Sequence, residues 1–342
     1  MTGNRPGGPL ATTTGGPARH VLDVDDLSTD ELAAVLDLAV APLGPGERPL
    51  AGAGVALVFE KPSNRTRNSS EMATVRLGGH PVYIEGHEIG IGARETLEDV
   101  ARTLACYHSV LCARVMDHRT LVGMAAALDA SGVAVPVVNL LSDVAHPCQA
   151  LADLLTVREL FGSGWRERTI CYVGDANNVW RSLALASAMS GIATRIAAPD
   201  GFGPTDDDVR RVAALGGSLL VTTDPREAVA GADVVYTDVW TSLGQEEESE
   251  VRRRAFAGYQ VDADLLALAA PGAAVLHCLP AHRGEEIAAE VVDGPQSAVW
   301  RQAANRMHAM VGLFRWLAGG GPGGSGADGS GEGLVDGPGG GR

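Results

Sequence analysis

The sequence predicts an α/β protein of two domains, each a mostly parallel sheet flanked by helices. Three observations carry that reading. Short apolar runs alternate with helix-period segments along most of the chain. Setting aside a Pro/Gly/Thr-rich head (residues 1–18) and a Gly-rich tail (residues 319–342) leaves enough of the 342 residues for two domains of about 150 each. With 45% apolar and 20% charged residues, there is side-chain material for two cores, and global disorder is excluded. The tail holds 13 glycines in 24 residues, so ordering it would cost backbone entropy that few contacts could offset, and a mobile appendage is expected.

The elements follow in order. Ser28, Thr29, Asp30 and Glu31 form a capping box ahead of Leu32, Val35, Leu36 and Leu38, which share one helix face. Val55 to Phe59 reads as a buried strand. Further runs lie at Pro81–Ile84, Val110–Cys112, Val135–Leu141, Ile170–Val173, Arg195–Ala198, Leu219–Thr222, Val234–Tyr236 and Ala274–Leu276. Helix-period leucines fall between them, as at Leu151, Leu154 and Leu155 or Leu183, Leu185 and Met189. Strands alternating with helices imply parallel sheets, whose ligands gather at the carboxyl ends of the strands.

Formal charge is −15 and the densest basic cluster is Arg252, Arg253 and Arg254, which argues against a nucleic-acid surface. No stretch approaches the roughly 18 apolar residues of a membrane span, and the N-terminus lacks a secretion pattern. The five cysteines are scattered without a C-x-x-C spacing, so reduced thiols and a cytoplasmic location are expected.

Five strand-end segments are candidates for chemistry, and in four of them, all but the one after Val173, clustered polar residues are ones that packing does not require. Phe59 to Arg67 (FEKPSNRTR) places Ser63, Asn64, Arg65, Thr66 and Arg67 at the start of a helix expected to stop at Gly78-Gly79. Unpaired N–H groups, the positive end of the helix dipole and two guanidinium forks would make a phosphate cradle. An ordinary Ser cap followed by two surface arginines would use the same residues. Ser142 to Gln149 (SDVAHPCQ) opens the leucine-periodic helix with His146 and Gln149 on one face, suited to holding a polarised carbonyl and its NH2 group. A capping or packed histidine is the plainer alternative. Gly174 to Asn178 (GDANN) lacks the glycines and distal acid of a dinucleotide loop, so Asn177 and Asn178 suit a small polar ligand or a helix cap. In Tyr236 to Gly244 (YTDVWTSLG), Asp238 could neutralise an ammonium and Ser242 could meet a carboxylate or amine; a simple turn fits equally. In Leu276 to Glu286 (LHCLPAHRGEE), Cys278 could hydrogen-bond an amine or accept its proton. Metal ligation by His277, Cys278 and His282 matches no zinc spacing, and no metal is expected.

In this order the segments resemble the ornithine carbamoyltransferases, within the wider aspartate/ornithine carbamoyltransferase family. The resemblance covers about Val21 to Leu317. It implies domains at residues 19–145 for carbamoyl phosphate and 146–300 for ornithine, with a C-terminal helix at 301–318 returning to the first domain. It implies that Ser63, Asn64, Arg65 and Thr66 bind the phosphate, while Arg114, His146 and Gln149 hold the carbamoyl group. Asn178, Asp238, Ser242 and the Leu243 backbone would bind L-ornithine. Cys278 and the Leu279 carbonyl would lie beside the attacking amine, and Arg306 would reach back to carbamoyl phosphate. The catalytic set is thus Arg65, Arg114, His146, Gln149 and Cys278, with no cofactor and with a homotrimer, or a multiple of it, as the assembly. The implied reaction gives L-citrulline and phosphate, as in arginine biosynthesis.

Three departures from the family pattern stand out. Asn64 replaces the usual Thr, Leu243 replaces Met, and Ile89 to Gly92 lacks the Gln that many relatives direct toward a neighbouring subunit. Leu and Met have similar volumes, so ornithine binding is expected to survive. The competing readings are transfer to another amine, such as putrescine or an N-acylated ornithine, and a non-catalytic regulator that binds carbamoyl phosphate. A dehydrogenase is disfavoured by the loop after Val173.

Overall fold

The computed structural model describes residues 18–90, 94–241 and 246–320. The first half runs α1 (Thr29–Val40), β1 (Gly54–Phe59), α2 (Asn64–Arg76), β2 (His80–Glu85), α3 (Gly86–Ile89), α4 (Leu97–Ala105), β3 (Val110–Arg114), α5 (His118–Ala130) and β4 (Val137–Leu141). Its four strands form a parallel sheet in the order β2-β1-β3-β4. The second half opens with α6 (Pro147–Phe161), β5 (Thr169–Val173), α7 (Asn178–Ser190), β6 (Ala193–Ala197), α8 (Asp206–Ala214), β7 (Leu219–Thr222), α9 (Pro225–Val229) and β8 (Val234–Thr237). It closes with α10 (Ser249–Ala255), α11 (Ala263–Leu266), β9 (Ala274–His277), α12 (Ala289–Val292) and α13 (Val299–Arg315). Here the strands are again parallel, ordered β7-β6-β5-β8-β9.

The inner strands β1, β3, β5 and β8 read as mostly apolar runs because helices cover both faces of each sheet there. Along β1, Val55, Leu57 and Phe59 join the core beneath α1, α6 and α13, whereas Ala56 and Val58 point the other way, into the core under α4 and α5. The central strand β5 repeats the alternation: Ile170 and Tyr172 enter the first of these cores, while Cys171 and Val173 enter a separate one with Phe256 and Leu265. One apolar core therefore runs through both halves and ties their geometry together.

Two helices bridge the halves. The predicted capping box starts α1, with Ser28 Oγ accepting from Glu31 N–H and the Glu31 carboxylate accepting from Ser28 N–H. α13 packs against α1, α2 and α6. Arg315 on α13 donates through Nη1 to the carbonyls of Leu38 (2.6 Å) and Ala41 (2.9 Å), satisfying the end of α1. Strand bounds shift slightly from expectation. β4 begins at Val137 because Val135 and Pro136 form the approach to the sheet, and proline offers no N–H to a ladder. No helix among the described residues is long and apolar enough to cross a membrane.

Candidate active site

Strand order reverses between β1 and β3 in one sheet and between β5 and β8 in the other, and crevices open at such points beyond the carboxyl ends. Both crevices meet in one cavity of about 1000 Å³. Its walls include Ser63, Asn64, Arg65, Thr66, Arg114, His146, Gln149, Asn178, Asp238, Cys278, Leu279 and Arg306. Residues far apart in sequence thus converge because all but Arg306, from the middle of α13, lie at the end of a strand or the start of a helix. Ser242 and Leu243, and Ile91 and Gly92 of the earlier loop, lie outside the described residues.

The first wall is cationic. Ser63 caps α2, its Oγ accepting from Thr66 N–H at 3.4 Å. Asn64 engages Asn68, whose Nδ2 donates to the Asn64 carbonyl and Oδ1. Arg65 faces the cavity, but Arg67 does not: its Nε binds Glu71 at 2.8 Å, and its guanidinium lies 3.6 Å from the centre of the Tyr83 ring. The pairing of both arginines in a phosphate cradle is therefore corrected to Arg65 alone, since two residues along a helix turn the side chain to another face.

Arg114 ends β3 and reaches the same wall. Burial and the charges of Arg306 and Arg65 pull its pKa down to about 10. His146 precedes Pro147 at the start of α6, and its backbone N–H donates to Ser182 Oγ at 2.9 Å. Burial, with Arg306, Arg114 and Arg65 nearby, drives the imidazole pKa well below its ordinary value and keeps the ring neutral. Gln149 donates through Nε2 to Asp153 Oδ1 (2.7 Å) and accepts at Oε1 from Arg306 Nη1 (2.6 Å). Arg306 Nη2 also donates to Thr66 Oγ1 at 3.2 Å. Arg114 Nε, Arg306 Nε and His146 Nδ1 are buried with no hydrogen-bond partner among the described residues. Three such nitrogens in one pocket are costly unless a ligand meets them.

The opposite wall is built differently. Asn177 caps α7, its Oδ1 accepting from the N–H groups of Val179 and Trp180, while its Nδ2 donates to Asp238 Oδ2 at 2.9 Å. Asn178 Nδ2 donates to the Ser142 carbonyl at 2.5 Å. Of the two asparagines considered from the sequence, Asn177 is the cap. Cys278 donates its thiol hydrogen to Asp238 Oδ1 at 2.9 Å. Burial and the adjacent carboxylate push that thiol's pKa well up, so the proton acceptor considered from the sequence is corrected to a proton-bearing donor. Leu279 adopts φ 61°, a conformation uncommon outside glycine, and lines the cavity beside Cys278.

The ligand atoms of Asp238, His277 and Cys278 lie within 4.8 Å of one another, yet His277 is committed elsewhere. Its Nδ1 accepts from Leu279 N–H at 2.8 Å, and its Nε2 faces Glu286 Oε1 at 3.1 Å. His282 is half-exposed near Glu285 and Glu286.

Sequence reasoning missed the supports behind these walls. Asp153, fully buried on α6, accepts at Oδ1 from Gln149 and from Gln302 Nε2 at 2.6 Å. Arg252 donates to Asp175 Oδ2 (2.7 Å) and the Trp240 carbonyl (3.0 Å), fastening the segment after β8 to the end of β5. A polar residue four positions after Gln149, inside a leucine-periodic helix, was the available sign for Asp153. Nothing local distinguishes Arg252 from its two neighbours.

Two parallel-sheet domains sharing a cleft, anion-seeking on one wall and carboxylate-bearing on the other, define a two-substrate transferase of small polar molecules. Family models identify the kind. The aspartate/ornithine carbamoyltransferase carbamoyl-P binding domain matches residues 19–159, and the Asp/Orn binding domain of the same family matches residues 166–317. The chain belongs to the aspartate/ornithine carbamoyltransferase family. It is 51% identical over 306 residues to the ornithine carbamoyltransferase of Acidothermus cellulolyticus, covering 87% of this chain and 96% of that protein. Among solved structures, the ornithine carbamoyltransferase of Pyrococcus furiosus matches at 40% identity with TM-score 0.78, covering 87% of this chain and 96% of that one. The Thermus thermophilus ornithine carbamoyltransferase matches at 41% with TM-score 0.76, covering 88% and 99%.

Proposed function

We propose that this enzyme transfers the carbamoyl group of carbamoyl phosphate to the side-chain amine of L-ornithine, giving L-citrulline and phosphate. The observation that carries the reading is the convergence of Arg65, Arg114 and Arg306 with the neutral His146 on one wall, opposite Asp238. The names of the curated relatives support ornithine as acceptor.

In this reading the phosphate sits against the start of α2, where Ser63, Asn64, Arg65 and Thr66 supply donors to an anion. Arg114 and His146 polarise the carbamoyl oxygen, and Gln149 Oε1 with the Leu279 carbonyl accepts from its NH2 group. The acceptor's backbone end lies toward Asn178 and Asp238, with Ser242 and Leu243 as the further partners that the family resemblance implies. Its terminal amine has a lysine-like pKa near 10 in water and attacks only after losing a proton. The neighbouring guanidinium groups disfavour a further cation and so assist that loss. The amine nitrogen bonds to the carbamoyl carbon, the carbonyl electrons move to oxygen, and donors from Arg114 and His146 stabilise the oxyanion. As it collapses, the bond to the phosphate oxygen breaks, the electron pair leaves with phosphate, and the amine's remaining extra proton passes to the departing group, which leaves as the hydrogen phosphate dianion. Cys278, holding its hydrogen on Asp238, orients that carboxylate.

We further propose the biosynthetic direction, which is also that of a structural neighbour, the anabolic ornithine carbamoyltransferase of Campylobacter jejuni. Exposed Met72 and Val75 on α2 and Tyr107 after α4 support burial in a homotrimer, and five free thiols support a reducing cytoplasm. Purified protein supplied with carbamoyl phosphate and a panel of ornithine, putrescine and N-acetylornithine is expected to carbamoylate ornithine fastest. Equal or faster product from another amine would overturn the acceptor, and light scattering at monomer mass would overturn the trimer.

A further inference from the structure

Asp153 touches no solvent and lines no part of the cavity, yet it joins the two helices that carry half of the cationic wall. A single carboxylate oxygen accepts from Gln149 Nε2 on α6 and from Gln302 Nε2 on α13. Gln302 in turn accepts at Oε1 from His277 N–H at the end of β9 (2.9 Å), and its Nε2 lies 3.1 Å from the Tyr236 hydroxyl at the end of β8. An ionised carboxylate can only accept, whereas an amide has one accepting and one donating end. Each glutamine must therefore turn its NH2 toward Asp153 and its oxygen away. For Gln149, the oxygen so presented lies at the cavity wall, where it already accepts from Arg306.

We propose that Asp153 is a positioning residue that fixes the amide sense of Gln149, and thereby makes the site select a donor carrying NH2 rather than CH3 beside its carbonyl. The inference rests on the reading of Gln149 as the partner of the carbamoyl NH2. Without Asp153, the NH2 end of Gln149 loses its acceptor and only the Arg306 donor at Oε1 opposes rotation, so the amide also populates the sense that presents its own NH2, which repels the carbamoyl NH2 and tolerates a methyl. The cost of discrimination is then lost although the guanidinium groups that hold phosphate remain. Gln302 shares the arrangement, so the same carboxylate also ties the start of α13 to His277 at the end of β9, the residue before Cys278.

The test uses two stable mimics, phosphonoacetamide and acetonylphosphonate, which differ in presenting NH2 or CH3, with inorganic phosphate as a control for the anion site. The wild-type enzyme is expected to bind the amide about tenfold or more tightly than the ketone, because a buried acceptor left unpaired penalises the methyl. In Asp153→Leu the preference is expected to fall to within about twofold while phosphate affinity stays within the same range. A wild-type enzyme without preference would overturn the Gln149 reading; a wild-type preference that survives intact in Asp153→Leu would overturn the Asp153 proposal alone. Should that variant not fold, exchange of the Gln149 side-chain amide in the 15N-labelled wild-type enzyme decides. Protection without any ligand is expected, whereas protection that arises only with phosphonoacetamide bound would overturn the proposal.

Discussion

Arg114 is held where its charge is uncomfortable: buried, beside two other guanidinium groups and with Nε lacking a partner among the described residues. Anion binding relieves both penalties. Arg114→Ala is therefore expected to lower kcat/KM for carbamoyl phosphate by about 10- to 150-fold, the range of a hydrogen bond to a charged group, while the KM for ornithine changes little. Asp238→Ala is expected to do the reverse, and the opposite split in steady-state kinetics would show that the subsites have been exchanged. Asp153 predicts a different signature. Burial pushes its pKa from 3.8 up to about 6, against hydrogen bonds from Gln149, Gln302 and Tyr236 and the charge of Arg306. The folded state thus holds the proton more tightly than the unfolded chain, so this contribution to stability is complete below about 3.8 and lost as pH rises through about 6. Asp153→Asn cannot ionise. Relative to wild type it is expected to gain stability between those pH values, by about 3 kcal/mol at most. A stability difference in urea that does not vary with pH would refute this.

At the scale of elements, α13 decides whether the site forms, because Gln302 and Arg306 project from it toward α6 and α2. Its approach to α1 leaves no room at Gly312, where an added Cβ would fall 2.4 Å from the Val35 carbonyl oxygen and 2.8 Å from Ala39 Cβ. Backbone cannot yield as a flexible side chain can. Gly312→Ala is expected to destabilise the protein by about 1–3 kcal/mol or more and to raise the KM for carbamoyl phosphate as Arg306 shifts. An unchanged urea midpoint would show that α1 and α13 separate freely. The starts of α2 and α6 supply the other half of the wall, one capped by Ser63 and the other begun by Pro147 after His146.

Across the whole molecule, the halves are joined by the shared core and by a polar tie. Asp23, from the segment before α1, accepts from Ser182 on α7 and Arg211 on α8, and Ser182 receives the His146 N–H. Through Ser182 the tie holds the His146 backbone. The cavity meanwhile concentrates positive charge within a chain of net charge −15, so phosphate entering it should steady the whole fold. At about 100 times its dissociation constant, inorganic phosphate is expected to add about 2.7 kcal/mol, raising Tm by about 5 °C. Arg114→Ala should respond much less at the same concentration. Equal stabilisation of both proteins in a thermal scan would place the anion elsewhere.

Local chemistry was enough to reveal much of this protein. Continuous apolar runs exposed the strands, capping residues marked α1 and α2, and reactive side chains at strand ends marked Arg65, His146, Asp238 and Cys278, since each signal lies within a few neighbouring residues, whereas Arg114 came only through the family resemblance. What only the tertiary structure decided depends on partners far along the chain. Arg67 turns to Tyr83, Cys278 keeps its proton because Asp238 faces it in a buried setting, and Asp153 governs Gln149 together with a glutamine 149 residues away. Burial and long-range pairing set a group's charge and orientation, and neither is written in the residues beside it.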